Sequence, residues 1–228
     1  IIPASRAERD AADKTDLVTR AAFWGREYNN NPGDKEAAIK LTQVLRQMGN
    51  ATRASEVATQ ALNLHPDDPE LVLSFAQASL DRGRPQEAVA PLARIESETT
   101  SNWRANSIIG VTLDQLGRHK DAQEYYLRAV ALSPDNPNIL TNLGLSYALA
   151  GDAAKAEETL RAAAELPGAD LRVRQNLALV LGVQGKFEEA EDVVADSMPA
   201  SAVAANEAYF KTLLTPSRTW DALRATDN

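Results

Sequence analysis

The chain has no cysteine, few aromatic side chains (5%), two histidines and no run of eighteen apolar residues. Each absence excludes something. Without cysteine there is no disulfide framework and no thiolate metal site or nucleophile. Two histidines, His65 and His119, lie far apart and lack a metal-spaced partner. Without a long apolar run, nothing in the sequence reads as a membrane-spanning helix. The formal charge of −8 argues against a nucleic-acid partner, whose phosphates would be repelled. What remains is a chain of 228 residues, 44% hydrophobic and rich in alanine and leucine, which suits packed helices better than a sheet.

The pattern is a repeat. Gly49, Gly83, Gly117, Gly151 and Gly185 are each 34 residues apart. Ala54, Ala88, Ala122, Ala156 and Ala190 share that spacing, and so do Asp34, Asp68, Asn102, Asn136 and Asp170. Between these marks, apolar residues recur every three or four positions, the period of an amphipathic helix. Each series has its own physics. Asp or Asn before a helix caps its free N–H groups, and Pro69 and Pro137 then occupy the first helical position. The glycine ends the first helix of each pair in a left-handed conformation. The alanine lets the second helix approach the first closely. Pro66 and Pro134 stop second helices.

The spacing predicts an all-α, right-handed superhelical solenoid of helix-turn-helix repeats with capping helices at both ends. First helices are expected near 35–48, 69–82, 103–116, 137–150 and 171–184, and their partners near 52–65, 86–97, 120–133, 154–166 and 188–197. Residues 1–12, charged and aperiodic, read as a flexible tether, and 13–32 as the second helix of a leading half-repeat closed by Trp24 and Tyr28. The five repeats span 35–200. Residues 203–214 read as a last amphipathic helix covering the C-terminal end, and 215–228 as a tail. The polar stretch 96–101 lacks a stopping proline and is expected to be the softest joint.

The run Leu143-Gly144, Tyr147, Gly151, Ala156, Leu160, Ala163, and the matching residues Gly110, Gly117, Ala122, Tyr126, Ala129 and Pro134, resemble the tetratricopeptide repeat. A narrower similarity rests on Leu166 to Gly182, Gly185 to Glu191 and Ala204 to Tyr209, which resemble the TadD-type assembly lipoproteins of tight-adherence (Flp) pili. That resemblance implies an exported, outer-membrane-tethered scaffold in the periplasm that supports assembly of the pilus secretin. The start at Ile1 rather than Met is in keeping with a removed leader, and the lipidated cysteine of such proteins would precede this chain. The other reading is a cytoplasmic adaptor or co-chaperone for an unrelated client.

No catalytic constellation stands out, and no metal or cofactor is implied. Gly182 to Lys186 lacks the spacing of a phosphate loop, and Glu157-Glu158 and Glu188-Glu189 read as solvated faces of second helices. In stacked helix pairs the first helices line the inner side, so a protein client is expected against Arg104, Ser107, Val111, Thr141, Asn142, Leu145, Arg172, Gln175, Asn176 and Leu179. Asn142 and Asn176 occupy one repeat position and could grip an extended backbone as a ladder. Arg104 and Arg172 could anchor a carboxylate.

Overall fold

The computed structural model describes residues 3–98 and 100–195. Among them the regular elements are α-helices and one short 3-10 turn, with no strand. Arg6–Ala12 (α1) and Leu17–Asn30 (α2) are followed by the pairs Lys35–Gln47 (α3) with Ala51–Leu64 (α4), Pro69–Asp81 (α5) with Pro85–Ile95 (α6), and Trp103–Gln115 (α7) with His119–Leu132 (α8). Then come Pro137–Leu149 (α9) with Ala153–Glu165 (α10), and Leu171–Val183 (α11) with Phe187–Ala195 (α12). The expected helix bounds hold to within two residues at nearly every end. The expected helix at 203–214 and the tail beyond it lie outside the described residues.

All three sequence series act as their chemistry requires. Asp34, Asp68, Asn102, Asn136 and Asp170 each accept from backbone N–H groups of the helix they cap. The five alanines are buried at 3% exposure or less, so each allows two helices to touch. Gly151 has φ +85°, with Asp152 N–H donating to Tyr147 O (2.9 Å) and Gly151 N–H to Ala148 O (3.0 Å). These two bonds close the helix in a Schellman motif. Gly110 serves a different purpose, because a Cβ there would lie 2.6 Å from the Tyr126 ring packed across it from α8.

The chain divides into two compact units at the Leu132–Ser133 junction. In the first, Trp24, Val44, Val57, Leu71, Leu73, Ala88 and Ile108 belong to one continuous core. In the second, Ala156, Leu160, Leu177, Leu181 and Val194 form a core between α9, α10, α11 and α12. The division does not fall at the polar joint 96–101, across which α5 and α6 both pack on α7. α6 packs on α7 less extensively than α4 does on α5, although the joint is not a unit boundary.

Residues 6–12 are not the tether expected from their charge. Ser5 and Glu8 form a capping box that starts α1. Arg9, only 9% exposed, then reaches Asp34 (2.5 Å), Glu36 (2.8 Å) and Glu27 (3.3 Å), and lies 5.6 Å over the Trp24 ring. Burial alone would raise the Asp34 carboxyl, but the bonds from Arg9 and the Ala37 N–H outweigh it and hold the group below its usual range. A charged segment is thereby fixed to the body of the protein.

Candidate functional site

A concavity lies in the first unit, where consecutive first helices α3, α5 and α7 present their inner positions. It is a cleft of about 610 Å³. Its amide side chains are Gln43 and Gln47 from α3 and Gln77 from α5. Gln43 and Gln77 hold the same repeat position, one period apart. Gln43 is exposed, whereas Gln77 is half-buried and accepts from Arg46 Nη1 at 2.8 Å, which leaves its amide N–H groups as donors. Ser74 is 8% exposed and lines the same cleft.

The charges of the cleft cancel within its walls. Arg46 of α3 makes a two-pronged pair with Asp81 of α5, at 2.6 and 3.3 Å. Arg104 of α7 faces Glu70 of α5 at 3.7 Å, both half exposed. A neutral, amide-rich trough spanning successive helices suits the main chain of an extended polypeptide. First helices lie roughly 10 Å apart, about three residues of an extended strand, so Gln43 and Gln77 can meet backbone groups three residues apart.

Of the residues singled out from sequence, only Arg104 lines this cleft. Ser107 and Val111, also on α7, are half-buried, and Val111 packs on the core of the first unit. The rest belong to the second unit, on α9 and α11, which pack together. There Thr141 is 5% exposed and its hydroxyl donates to Pro137 O (2.7 Å), a helix-internal bond that removes it from any client. Arg172 is not a free anchor, since it donates to Asn138 Oδ1 (2.8 Å) and lies 3.6 Å from Asp170. Asn142 and Asn176 are half-buried without a hydrogen-bond partner among the described residues. Leu145 is half-buried, Leu179 is 38% exposed and Gln175 is exposed.

By repeat phase, the inner position that holds Val111, Leu145 and Leu179 in later repeats holds Gln43 and Gln77 in the first two, so the inner face turns from polar to apolar along the chain. The cleft is built around that amide pair. The Glu157-Glu158 reading is also corrected. Glu158 is exposed, but Glu157 turns inward to Lys186 (2.6 Å) and Arg161 (3.0 Å), and its bond from Lys186 leads the lowering of its carboxyl pKa. His119 Nδ1 lies 2.9 Å from Asp114, and His65 Nε2 lies 3.3 Å from Gly33 O. Among the described residues no cluster could hold a metal ion, and no helix is long and apolar enough to cross a membrane.

Three family models, each described as tetratricopeptide repeat, match residues 45–105, 109–170 and 171–196, together more than half of the chain. The chain belongs to the tetratricopeptide-repeat family. Such repeats make protein–protein interaction scaffolds. Among curated relatives, the uncharacterized protein y4yS of Sinorhizobium fredii is 32% identical over 114 residues, half of this chain and 62% of that protein. The peroxisomal targeting signal receptor of Debaryomyces hansenii is 25% identical over 184 residues, covering 77% of this chain and 30% of the receptor. The chain thus spans less than two thirds of either relative. Among solved structures, the thermophilic tetratricopeptide-repeat protein TTC0263 of Thermus thermophilus matches with a TM-score of 0.68 at 21% identity, covering 78% of this chain and 98% of that one. At that identity the likeness concerns the fold alone.

Proposed function

We propose that this tetratricopeptide-repeat protein holds an extended segment of a partner protein along the inner face of its first helices. The observation that carries the reading is the neutral cleft across α3, α5 and α7, with Gln43 and Gln77 in register. The relative named as a receptor for a targeting signal supports recognition of a segment of another protein. For the client we put forward a secretin or another assembly component of a tight-adherence pilus. For the location we put forward the periplasmic side of an outer membrane, by a lipid anchor outside this chain. Both rest on the resemblance of residues 166–191 to TadD-type assembly lipoproteins.

Fluorescence anisotropy with labelled secretin-derived peptides tests the cleft. Losing the Gln43 and Gln77 amides together removes two hydrogen bonds, about 1–3 kcal/mol, or roughly 5- to 150-fold in affinity. A folded Gln43→Ala/Gln77→Ala variant that binds as tightly as the parent would move the site elsewhere. Binding of unrelated extended peptides, with none for secretin-derived ones, would keep the cleft and discard the pilus client in favour of an adaptor for another protein. Membrane fractionation of the natural gene product tests the location: recovery in the cytoplasm sinks the outer-membrane reading.

A further inference from the structure

A polar hollow of about 130 Å³ opens beside the cleft. Gln43 and Gln47 line both, so the cleft continues past α3 toward α2. The charged walls of the hollow are Arg20 of α2, Lys40 of α3 and Asp13 from the α1–α2 turn.

These charges do not cancel as they do in the cleft. Asp13 is already engaged twice, accepting from the Trp24 indole N–H (3.0 Å) and from the Lys40 ammonium. Its carboxyl is held below the usual range although burial opposes this. Lys40 retains further N–H donors after that bond. Arg20 donates to Thr15 O (2.8 Å), and its Nε is buried with no acceptor among the described residues. A buried donor left unmatched is costly, the more so on a cation. The hollow therefore concentrates two cations and one carboxylate at one spot of a protein whose formal charge is −8. Its other polar groups are glutamine amides, which can donate.

We propose that this hollow is a binding site for a single oxyanion, taken between Arg20 and Lys40 with the amides of Gln43 and Gln47 donating to it. A planar guanidinium presents parallel N–H groups to two oxygens, and an ammonium adds a point charge, so a carboxylate or a phosphate matches the donor set. An anion here adds a second acceptor charge to the field that Arg20 shares with Asp13. The oxyanion comes either from an acidic residue of the client lying in the cleft or from free phosphate. Only the first source rests on the function proposed above.

The test uses the full chain and free anions. Acetate and inorganic phosphate are titrated at constant ionic strength against chloride, following the Trp24 indole N–H resonance, which reports on Asp13 and so on the hollow. The expected result is a saturable shift. Arg20→Gln should weaken it at least about tenfold, whereas Arg20→Lys, which keeps the charge but loses the planar fork, should fall between Arg20→Gln and the parent. Circular dichroism checks folding; should Arg20→Gln not fold, Lys40→Gln decides in its place. A linear response equal to that of chloride, or an unchanged midpoint in the charge-removing variant, overturns the proposal. Two short alanine-rich peptides that differ only in a Glu or a Gln separate the sources. Tighter binding of the Glu peptide identifies a client carboxylate, and a response to phosphate alone identifies free phosphate. Gln77→Ala lines the cleft but not the hollow, so it should weaken peptides and leave acetate and phosphate unchanged. Failure of the cleft and failure of the hollow are thereby distinguishable.

Discussion

The inner positions of the two units carry opposite chemistry on the same repeat. In the first, Gln43 and Gln47 on α3 and Gln77 and Asp81 on α5 line a cleft whose charges are paired. Three repeats further on, the same positions hold Leu145 and Leu149 on α9, and Leu179 and Val183 on α11. Leu149 is 62% exposed and Val183 58%. Leu149 and Val183 bear little packing load, so a scaffold can change such sites without changing itself. Caps, turn glycines and contact alanines cannot vary that way, because each satisfies a backbone group or a distance of closest approach. Positions that the fold leaves alone are therefore free to carry chemistry aimed at a partner.

The first unit is also held by an ionic lock at its N-terminal end. Arg9 locks α1 onto α2 and α3 through three carboxylates, and the largest effect is expected there. Arg9→Met leaves the buried Glu27 and the half-buried Asp34 without their cation, which should cost about 3–5 kcal/mol. Thermal unfolding followed by circular dichroism reads it; a midpoint within a degree or two of the parent would show that the lock contributes nothing. The sign with pH is fixed by Asp34. Its carboxyl is depressed in the folded state, so its contribution is complete above the ordinary carboxylate range and is lost as pH falls through the folded value. The parent should lose stability on acidification below about pH 4, and Arg9→Met should lose less over the same interval.

Next in size is the apolar face of the second unit. If both inner faces grip a client, Asn142→Ala/Asn176→Ala should weaken binding by about 1–3 kcal/mol, roughly 5- to 150-fold, with the fold intact. Leu179→Asp should weaken it independently, by removing apolar contact. Calorimetry with the same peptides used for Gln43→Ala/Gln77→Ala makes the comparison direct. Loss in only one of the two double variants would assign recognition to one unit.

Gly151 gives a smaller effect in stability alone. A Cβ there meets nothing within 4 Å, so the cost of Gly151→Val is backbone strain at φ +85° and not a clash. More than about 1 kcal/mol is expected, because a β-branched residue resists that conformation. An unchanged thermal midpoint would contradict the observed turn.

Helix positions and turns were legible in the sequence because their causes are local. An Asp or Asn, a glycine and an alanine per repeat each answer to the nearest backbone. The start of α1 was legible too, in Ser5 and Glu8, though the charge of the segment masked it. The partners of Arg9 were not, since they lie 18 to 27 residues away and only folding brings them together. Thr141 shows the other limit. Its repeat phase pointed inward, but a threonine within a helix can turn its hydroxyl to the carbonyl one turn back, and no spacing rule reports that choice.

The smallest expected effect concerns the seams. α6 has eleven residues with Pro91 inside it, against fourteen in α4, and it packs less fully on α7 than α10 does on α11. Beside the looser seam lies a hollow of about 170 Å³ lined mainly by Val89, Leu92, Ala93, Ile109 and Leu113. The bond from Tyr125 to Glu96 ties α8 to the end of α6 at its edge. Amide hydrogen exchange in α6 should therefore be faster than in α10, since fewer buried contacts resist local opening. Ala93→Leu adds three carbons at the wall of the hollow. Each buried methylene is worth at most about 0.8 kcal/mol, but the site is partly open and a side-chain rotamer must be fixed, so a net gain of about 0.5–1 kcal/mol is expected. Exchange in α6 should then slow by about two- to fivefold, with α10 unchanged. If exchange in α6 is already as slow as in α10, or if Ala93→Leu speeds it, the seam is not loose and the two units are built equally tightly.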